Sequence, residues 1–318
     1  RLPALSPRGL VALFAAAVLA VAPPLRAEAP TKSLSLRVMT YNVHSCKGRD
    51  RKVRPDRIAE VIAAARPDIV AIQEIRVGRV DSTSVVRTPG AGPGTVPPPV
   101  GEAPLLPPSV IAPRTPSNTA SSSAPFSDQP RAIADALGMH HVFYPLVRTK
   151  VQDYGIALLS RHPIRIVRAA NLPTRGGGLF AEKRGAIWAV VTVEGRDVQV
   201  IVTHFGIDRA ERTAQVDALL GPDWMKSDKF TGPFVVSGDF NMRPGQPAYE
   251  RLAREMKDGP LSLKGKKAAA TWPSARAFFR IDHVFIPKTA TALAADVPTT
   301  AVARIASDHL PLVVDVAF

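Results

Sequence analysis

Six times along this chain an apolar run gives way to a polar residue suited to metal or phosphate chemistry. Val38-Met39-Thr40-Tyr41 runs into Asn42, and Ile69-Val70-Ala71-Ile72 into Gln73-Glu74. Val200-Ile201-Val202-Thr203 ends at His204, and Phe234-Val235-Val236-Ser237-Gly238 at Asp239-Phe240-Asn241. Arg280-Ile281 leads into Asp282-His283, and Ser307-Asp308-His309 precedes the last apolar run. Each position has an ordinary explanation of its own: Glu74 as a solvated boundary residue, Asn42 as a turn former, Asp239 and Asn241 as an Asx-turn or helix cap, His204 as a satisfied core imidazole. Asp282 is harder to dismiss, because aspartate is depleted inside strands. The recurrence carries the weight, since strand ends are rigid supports around which loops gather polar groups.

Oxygen donors such as Glu74 and Asp308 suit Mg²⁺ or Mn²⁺, hard cations that keep waters and share phosphate oxygens. With one cysteine and no His-x-x-x-His pair, a thiolate or protease-type zinc site is disfavoured. Phosphodiester cleavage needs charge neutralised on the non-bridging oxygens, an activated water and help for the leaving oxygen. A cation supplies the first of these and can supply the third, and a histidine held by a carboxylate serves as general base or phosphate contact.

The elements that must position these groups alternate between strand and helix. The pattern predicts strands over Leu34–Val43, Asp68–Ile72, Gly155–Leu159, Ile164–Val167, Ala186–Val193, Val198–Thr203, Phe234–Ser237, Ile281–Phe285 and Leu312–Val316. Helices are expected over Pro55–Arg66, Gln129–Leu137, Ala210–Leu220 and Pro247–Glu255, and a hairpin turn over Glu194–Asp197. Apolar strands joined by both hairpins and crossovers suggest two sheets stacked face to face with helices outside. No internal repeat is evident in the sequence.

Seven stretches, in this order, resemble the endonuclease/exonuclease/phosphatase (deoxyribonuclease-like) superfamily: Met39-Thr40-Tyr41-Asn42-Val43, Ile72-Gln73-Glu74, Tyr154–Arg161, Thr203-His204, Gly238-Asp239-Phe240-Asn241, Arg280–Phe285 and Ser307–Pro311. The chain looks most like the superfamily's small bacterial metal-dependent hydrolases. The resemblance implies an α/β (α+β) fold, a four-layer αββα sandwich of two mixed sheets, in one domain over residues 30–318. It implies a Mg²⁺- or Mn²⁺-dependent phosphodiesterase with Glu74, Asn42 and Asp308 at the metal. By the same likeness Asp239 and Asn241 orient or activate water, His309 contacts phosphate or acts as base with Asp282 orienting it, and His204 assists the leaving side. The division of acid and base among Asp239, His309 and His204 stays open, as does the second-metal question raised by His44. Arg184 is a candidate phosphate clamp beside Asn241 and His309, because guanidinium binds phosphate in bidentate fashion. Tyr154 either lines the pocket or packs in the core, and core packing is the preferred expectation.

The rest of the sequence bounds the setting. A net charge of +14 favours an anionic phosphoester partner, nucleic acid or a phospholipid head group, and a basic excess survives loss of Arg1, Arg8 and Arg26. Three tryptophans and 6% aromatics offer no aromatic-rich hairpin for a lipid interface, which favours nucleic acid or a soluble phosphoester over a sphingomyelinase-like activity. Trp272 with Ala275–Arg280 is a weak nucleic-acid candidate. A monomer without a stable protein partner is expected. Residues 1–29 read as a signal peptide, with Arg1 and Arg8 before an apolar run over Gly9–Ala22 too short for an ordinary span, so the protein is expected to be exported; an uncleaved anchor is the alternative. Residues 80–127 hold 11 prolines among Ser, Thr, Gly and Ala, and read as a disordered insertion in a surface loop. Cys46 is expected to be an inert thiol. A non-enzymatic binding protein on the same scaffold would have lost some of the polar set, and this chain carries all of it.

Overall fold

The computed structural model describes residues 33–79, 128–175, 182–265 and 268–318. The expected signal peptide and Pro-rich insertion lie outside them. Twelve strands form two six-stranded mixed sheets. In chain order they are β1 (Ser35–Asn42), β2 (Ile69–Gly78), β3 (His140–Arg148), β4 (Gln152–Ser160), β5 (Ile164–Asn171), β6 (Gly185–Val193), β7 (Arg196–His204), β8 (Phe234–Asp239), β9 (Lys257–Asp258), β10 (Asp282–Ile286), β11 (Thr291–Asp296) and β12 (Leu312–Ala317). The first sheet runs β11-β12-β1-β2-β4-β3, the second β5-β6-β7-β8-β10-β9. Each is antiparallel except for one central parallel pair, β1 with β2 and β7 with β8. The two orders are therefore the same motif, an antiparallel pair, a parallel pair and a second antiparallel pair, so the topology repeats where the sequence does not.

Each parallel pair needs a crossover, and a helix supplies it. The first is α1 (Pro55–Ala65), with proline in its first turn and Ile58, Val61 and Ile62 buried. The helix α2 (Gln129–Leu137) starts at an Asp128 cap and ends at left-handed Gly138 (φ 62°). The second crossover is α3 (Arg209–Leu219), capped by Asp208, whose carboxylate accepts from the backbone N–H groups of Ala210 and Glu211. Next come α4 (Pro247–Glu255), the single turn α5 (Gly259–Ser262) and α6 (Ala301–Ala306), whose cap is Thr300.

Strand periodicity sorts the core into layers. In β7, Val200 and Val202 enter the large core between the sheets while Ile201 joins Val216, Leu219 and Leu252 under α3 and α4. Val235 and Val236 of β8, and Val284 and Phe285 of β10, divide the same way. With α1 and α2 against the first sheet, this gives the αββα sandwich. Because the central strands are covered on both faces, they read as continuous apolar runs.

Several elements differ from expectation. Strand β2 does not stop at Ile72 but continues to Gly78 through a bulge. The β6–β7 turn is the two residues Glu194 (φ 49°) and Gly195 (φ 77°), with β7 starting at Arg196. The edge strands β3, β9 and β11 and the helices α5 and α6 had no sequence expectation.

Candidate active site

Alternation along the strands brings the polar residues together. In β7, His204 shares a face with Val200 and Val202; in β8, Asp239 shares one with Val235; in β10, Asp282 shares one with Val284. All three point into the layer between the sheets, at the end where its apolar lining stops. Asn42 ends β1 on that edge, in parallel register with Gln73, where the bulge of β2 begins. Asp239 and Asp282 are register partners across β8 and β10, and His204 is the register partner of Asp239 across β7 and β8.

Glu74 reaches the site by a different device. Between Ile72 and Ile75 the β2–β4 register slips, and Glu74 adopts a left-handed backbone (φ 58°). Such a bulge re-aims one side chain, and strain of this kind is held only where the surroundings over-determine it. The carboxylate is turned toward β1, where Asn42 Nδ2 donates to Glu74 Oε1 at 2.9 Å and to Asp239 Oδ2 at 3.0 Å. A single amide thus joins carboxylates from opposite sheets. Asn42 Oδ1 accepts from the His44 backbone N–H at 3.1 Å. Asn42, expected at the metal with Glu74 and Asp308, thus bridges the two carboxylates through Nδ2 while its Oδ1 holds the His44 backbone.

On the other side, His309 Nδ1 donates to Asp282 Oδ2 at 3.0 Å, and its Nε2 lies 3.8 Å from Asp239 Oδ2. The Asn241 backbone N–H donates to Asp239 Oδ1 at 2.9 Å, while its side-chain amide donates to the Phe205 carbonyl at 3.0 Å and lies 3.3 Å from His204 Nε2. Arg184, almost fully buried, sets Nη1 2.8 and 3.0 Å from the two His204 ring nitrogens, and its Nη2 donates to Glu182 Oε2 at 2.8 Å. The guanidinium lines the site with His204 and Glu182 as its partners. Asp308 stands at the rim, its Oδ1 3.5 Å from His44 Nδ1, and Glu74 Oε2 lies 3.6 Å from that same nitrogen. Ser307 fixes the Asp308–His309 loop by donating its hydroxyl to the Asn42 carbonyl at 2.7 Å.

Burial gives these groups different charge states. Burial raises the pKa of Asp239, and the neighbouring Asp282 raises it further. Burial opposes the charged form of His309, but the Asp282 carboxylate outweighs it and the imidazole is pushed up to about 10. His204 is held well below its ordinary value by burial and then by the Arg184 charge, so it is neutral. Burial works against ionisation of Glu74, but the hydrogen bonds from His44 and Asn42 and the nearby His309 charge hold it below the usual carboxylate range. Burial pushes the Cys46 thiol up, which makes it unreactive.

The donor set fits a hard divalent cation. Carboxylate oxygens of Glu74 and Asp308 already converge on one nitrogen of His44, a point where positive charge is stabilised. Ligand atoms of Asp239, Asp282 and His309 also lie within 4.8 Å of one another, and Asp282 Oδ1 is buried without a partner among the described residues.

Sequence reasoning missed the part played by Ser307, which acts through the distant Asn42, and by Glu182, which holds the Arg184 guanidinium two residues on. It also preferred the core for Tyr154 over the pocket lining it weighed as the alternative. The ring instead lines a recess of about 530 Å³ on one side of Glu74, with His44, Lys47, Arg76 and Gln152. A second recess, of about 430 Å³, opens on the other side of Glu74 and contains Arg184, His204, Asp239, Asn241 and His309.

Residues 39–309 match the model of the Endonuclease/Exonuclease/phosphatase family. Among solved structures, the chain is similar to an endonuclease/exonuclease/phosphatase from Beutenbergia cavernae, at 23% identity over 89% of this chain and 71% of that one, with a TM-score of 0.56. It is similar to a family protein from Bacteroides thetaiotaomicron at 17% identity, covering 90% and 99% of the two chains with a TM-score of 0.63. A mannosyl-6-phosphatase from the same organism matches at 16% identity over 89% and 100%, with a TM-score of 0.60. No curated protein sequence matches the chain.

Proposed function

Because the chain belongs to the endonuclease/exonuclease/phosphatase family, whose members are hydrolases of phosphoester bonds, we propose that it is a Mg²⁺- or Mn²⁺-dependent phosphodiesterase. The observation that carries this reading is the Asn42 bridge, which ties Glu74 of one sheet to Asp239 of the other beside the His309–Asp282 pair. Glu74 and Asp308 would hold the cation, which neutralises charge on the phosphate and on the departing oxygen.

The charge states support one division of the roles that the sequence left open. Asp239, its pKa raised, is the general base that takes a proton from the attacking water, and Asn241 keeps it aimed through the backbone N–H bond. His309, protonated across the neutral range, donates from Nε2 to a non-bridging oxygen while Asp282 holds its Nδ1. His204 is neutral and stands with Arg184 on the leaving side, where the guanidinium supplies positive charge. Recesses on both sides of Glu74 leave room for an ester arm on each side of the phosphorus, which supports a diester over a monoester. A panel of bis(p-nitrophenyl) phosphate and p-nitrophenyl phosphate with Mg²⁺ tests this. The diester is expected to have the higher kcat/KM, and a preference for the monoester would refute the diester assignment.

The His309 assignment has a pH consequence. Activity that needs the imidazolium is present at neutral pH and is lost as pH rises through about 10. Removing the Asp282 charge removes the main cause of that elevation, so in Asp282→Asn the alkaline limb of kcat/KM moves to lower pH and the profile narrows. An unmoved alkaline limb in the variant would assign it to another group. The apolar leader over Gly9–Ala22 supports action outside the cytoplasm, and recovery of the full-length chain in the cytoplasmic fraction alone would contradict it.

A further inference from the structure

The recess that contains the catalytic groups has an opposite wall that the proposed chemistry does not use. It is formed by Trp272, Phe279, Arg243 and Ile207. The Trp272 and Phe279 rings are near-parallel, 9° between planes with centroids 6.0 Å apart, and Phe278 packs edge-on to Phe279 at 4.5 Å. The Arg243 guanidinium lies 4.7 Å from the Phe279 centroid and makes no ion pair among the described residues. Trp272 is 6.4 Å from the ring of His309, so the wall begins one ring away from the reacting phosphate.

This wall is held in place before any ligand arrives. Its loop closes on itself through Thr271 N–H to the Phe279 carbonyl at 2.8 Å and Phe279 N–H to the Trp272 carbonyl at 2.9 Å. It is tied to the catalytic loop by Ser274 N–H to the Asp308 carbonyl at 2.6 Å and Leu310 N–H to the Thr271 carbonyl at 2.8 Å. Rigid aromatic surface costs little entropy to use in binding. Core packing accounts for only part of it, since Phe278 is 61% and Ile207 77% exposed while Trp272 and Phe279 are half-buried.

We propose that this wall stacks the planar ring of one ester arm, so that the enzyme selects phosphoesters of the nucleobase-bearing class over those with alkyl arms. The substrate assignment rests on the hydrolase reading above, whereas the ring site itself is a matter of binding. Every base has a π-face, so stacking is tolerant of base identity, and the planar Arg243 cation can lie on a second face of the ring. A bilayer is the weaker alternative, because the aromatic pair lines a recess and only Phe278 and Ile207 project with large apolar exposure at its mouth.

Binding without turnover tests the proposal separately from hydrolysis. Of the three tryptophans, Trp188 and Trp224 are buried, so a stacking ligand reports through Trp272 fluorescence. Thymidine 5′-monophosphate is expected to quench that fluorescence and to bind at least about tenfold more tightly than methyl phosphate, the scale of one base–aromatic stack. In Phe279→Leu, which keeps apolar bulk but removes the ring, and in Arg243→Ala, at an exposed position, this preference is expected to fall several-fold or more. Arg243→Ala carries the test should Phe279→Leu fail to fold. Equal affinity for the two ligands, or an unchanged preference in a folded variant, overturns the proposal. So does quenching by phosphatidylcholine vesicles but not by the nucleotide, which would make the wall a lipid contact. A protein that binds the nucleotide in this way but hydrolyses no phosphodiester would sink the hydrolase reading and leave the ring site standing.

Discussion

Replacing Asp239 by asparagine is expected to lower kcat by about a thousandfold, within the range for loss of a general base, while leaving the fold intact. The side chain is buried beside Asp282, and that neighbour and burial both disfavour its charge. Neutralising it relieves a repulsion. The cost is one acceptor, because the new amide nitrogen cannot receive the bond from Asn42 Nδ2 that Asp239 Oδ2 now takes. That loss is about 1 kcal/mol, so Tm should move by no more than a few degrees in either direction. Parallel measurement of kcat on bis(p-nitrophenyl) phosphate and of thermal unfolding checks both halves. A variant that retains parental kcat would remove Asp239 from the chemistry, and one that unfolds would make it a structural residue.

Glu74→Gln should show the other large effect. The substitution preserves shape and the acceptor for Asn42 Nδ2 but removes the negative charge that the bulge of β2 directs at the site. Half-saturating Mg²⁺ is expected to rise at least about tenfold, on the scale seen when support for a metal site is lost. Rate at saturating Mg²⁺ is expected to fall by about a hundredfold or more, since the residual cation is held with less charge and poorer placement. A metal titration of activity in parent and variant reads both. An unchanged metal dependence would move the cation site away from Glu74, toward the Asp239–Asp282–His309 group.

Much of this site was legible in the sequence because its residues obey the same periodicity as the core. His204, Asp239 and Asp282 occupy inward positions of strands whose other inward positions are mostly apolar, valine above all, so an apolar run ending in a polar residue was a true signal of where the core ends. The wider architecture followed from the same runs. Glu74 was found for a partly wrong reason: the expected strand end is a bulge, and only pairing with β4 distinguishes the two. The edge strand β3 escaped because Pro145 and paired histidines interrupt its pattern, and an edge tolerates both. Strand β11 escaped because its apolar positions are mostly alanine. The Asn42 bridge could not be read at all, since it depends on which atoms of three distant residues meet. The Trp272–Phe279 wall was seen only as a weak cluster; its value lies in the backbone ties to Asp308 and Leu310, which sequence does not record.

The measurement closest to the centre of the account is chelation followed by metal restoration on a phosphodiester. Protein stripped with a chelator should leave bis(p-nitrophenyl) phosphate intact, and adding Mg²⁺ or Mn²⁺ alone should restore hydrolysis without refolding. Full hydrolysis by the stripped protein, or none after either metal is returned to a folded sample, would contradict a cation held at Glu74 and Asp308 beside Asp239 and His309.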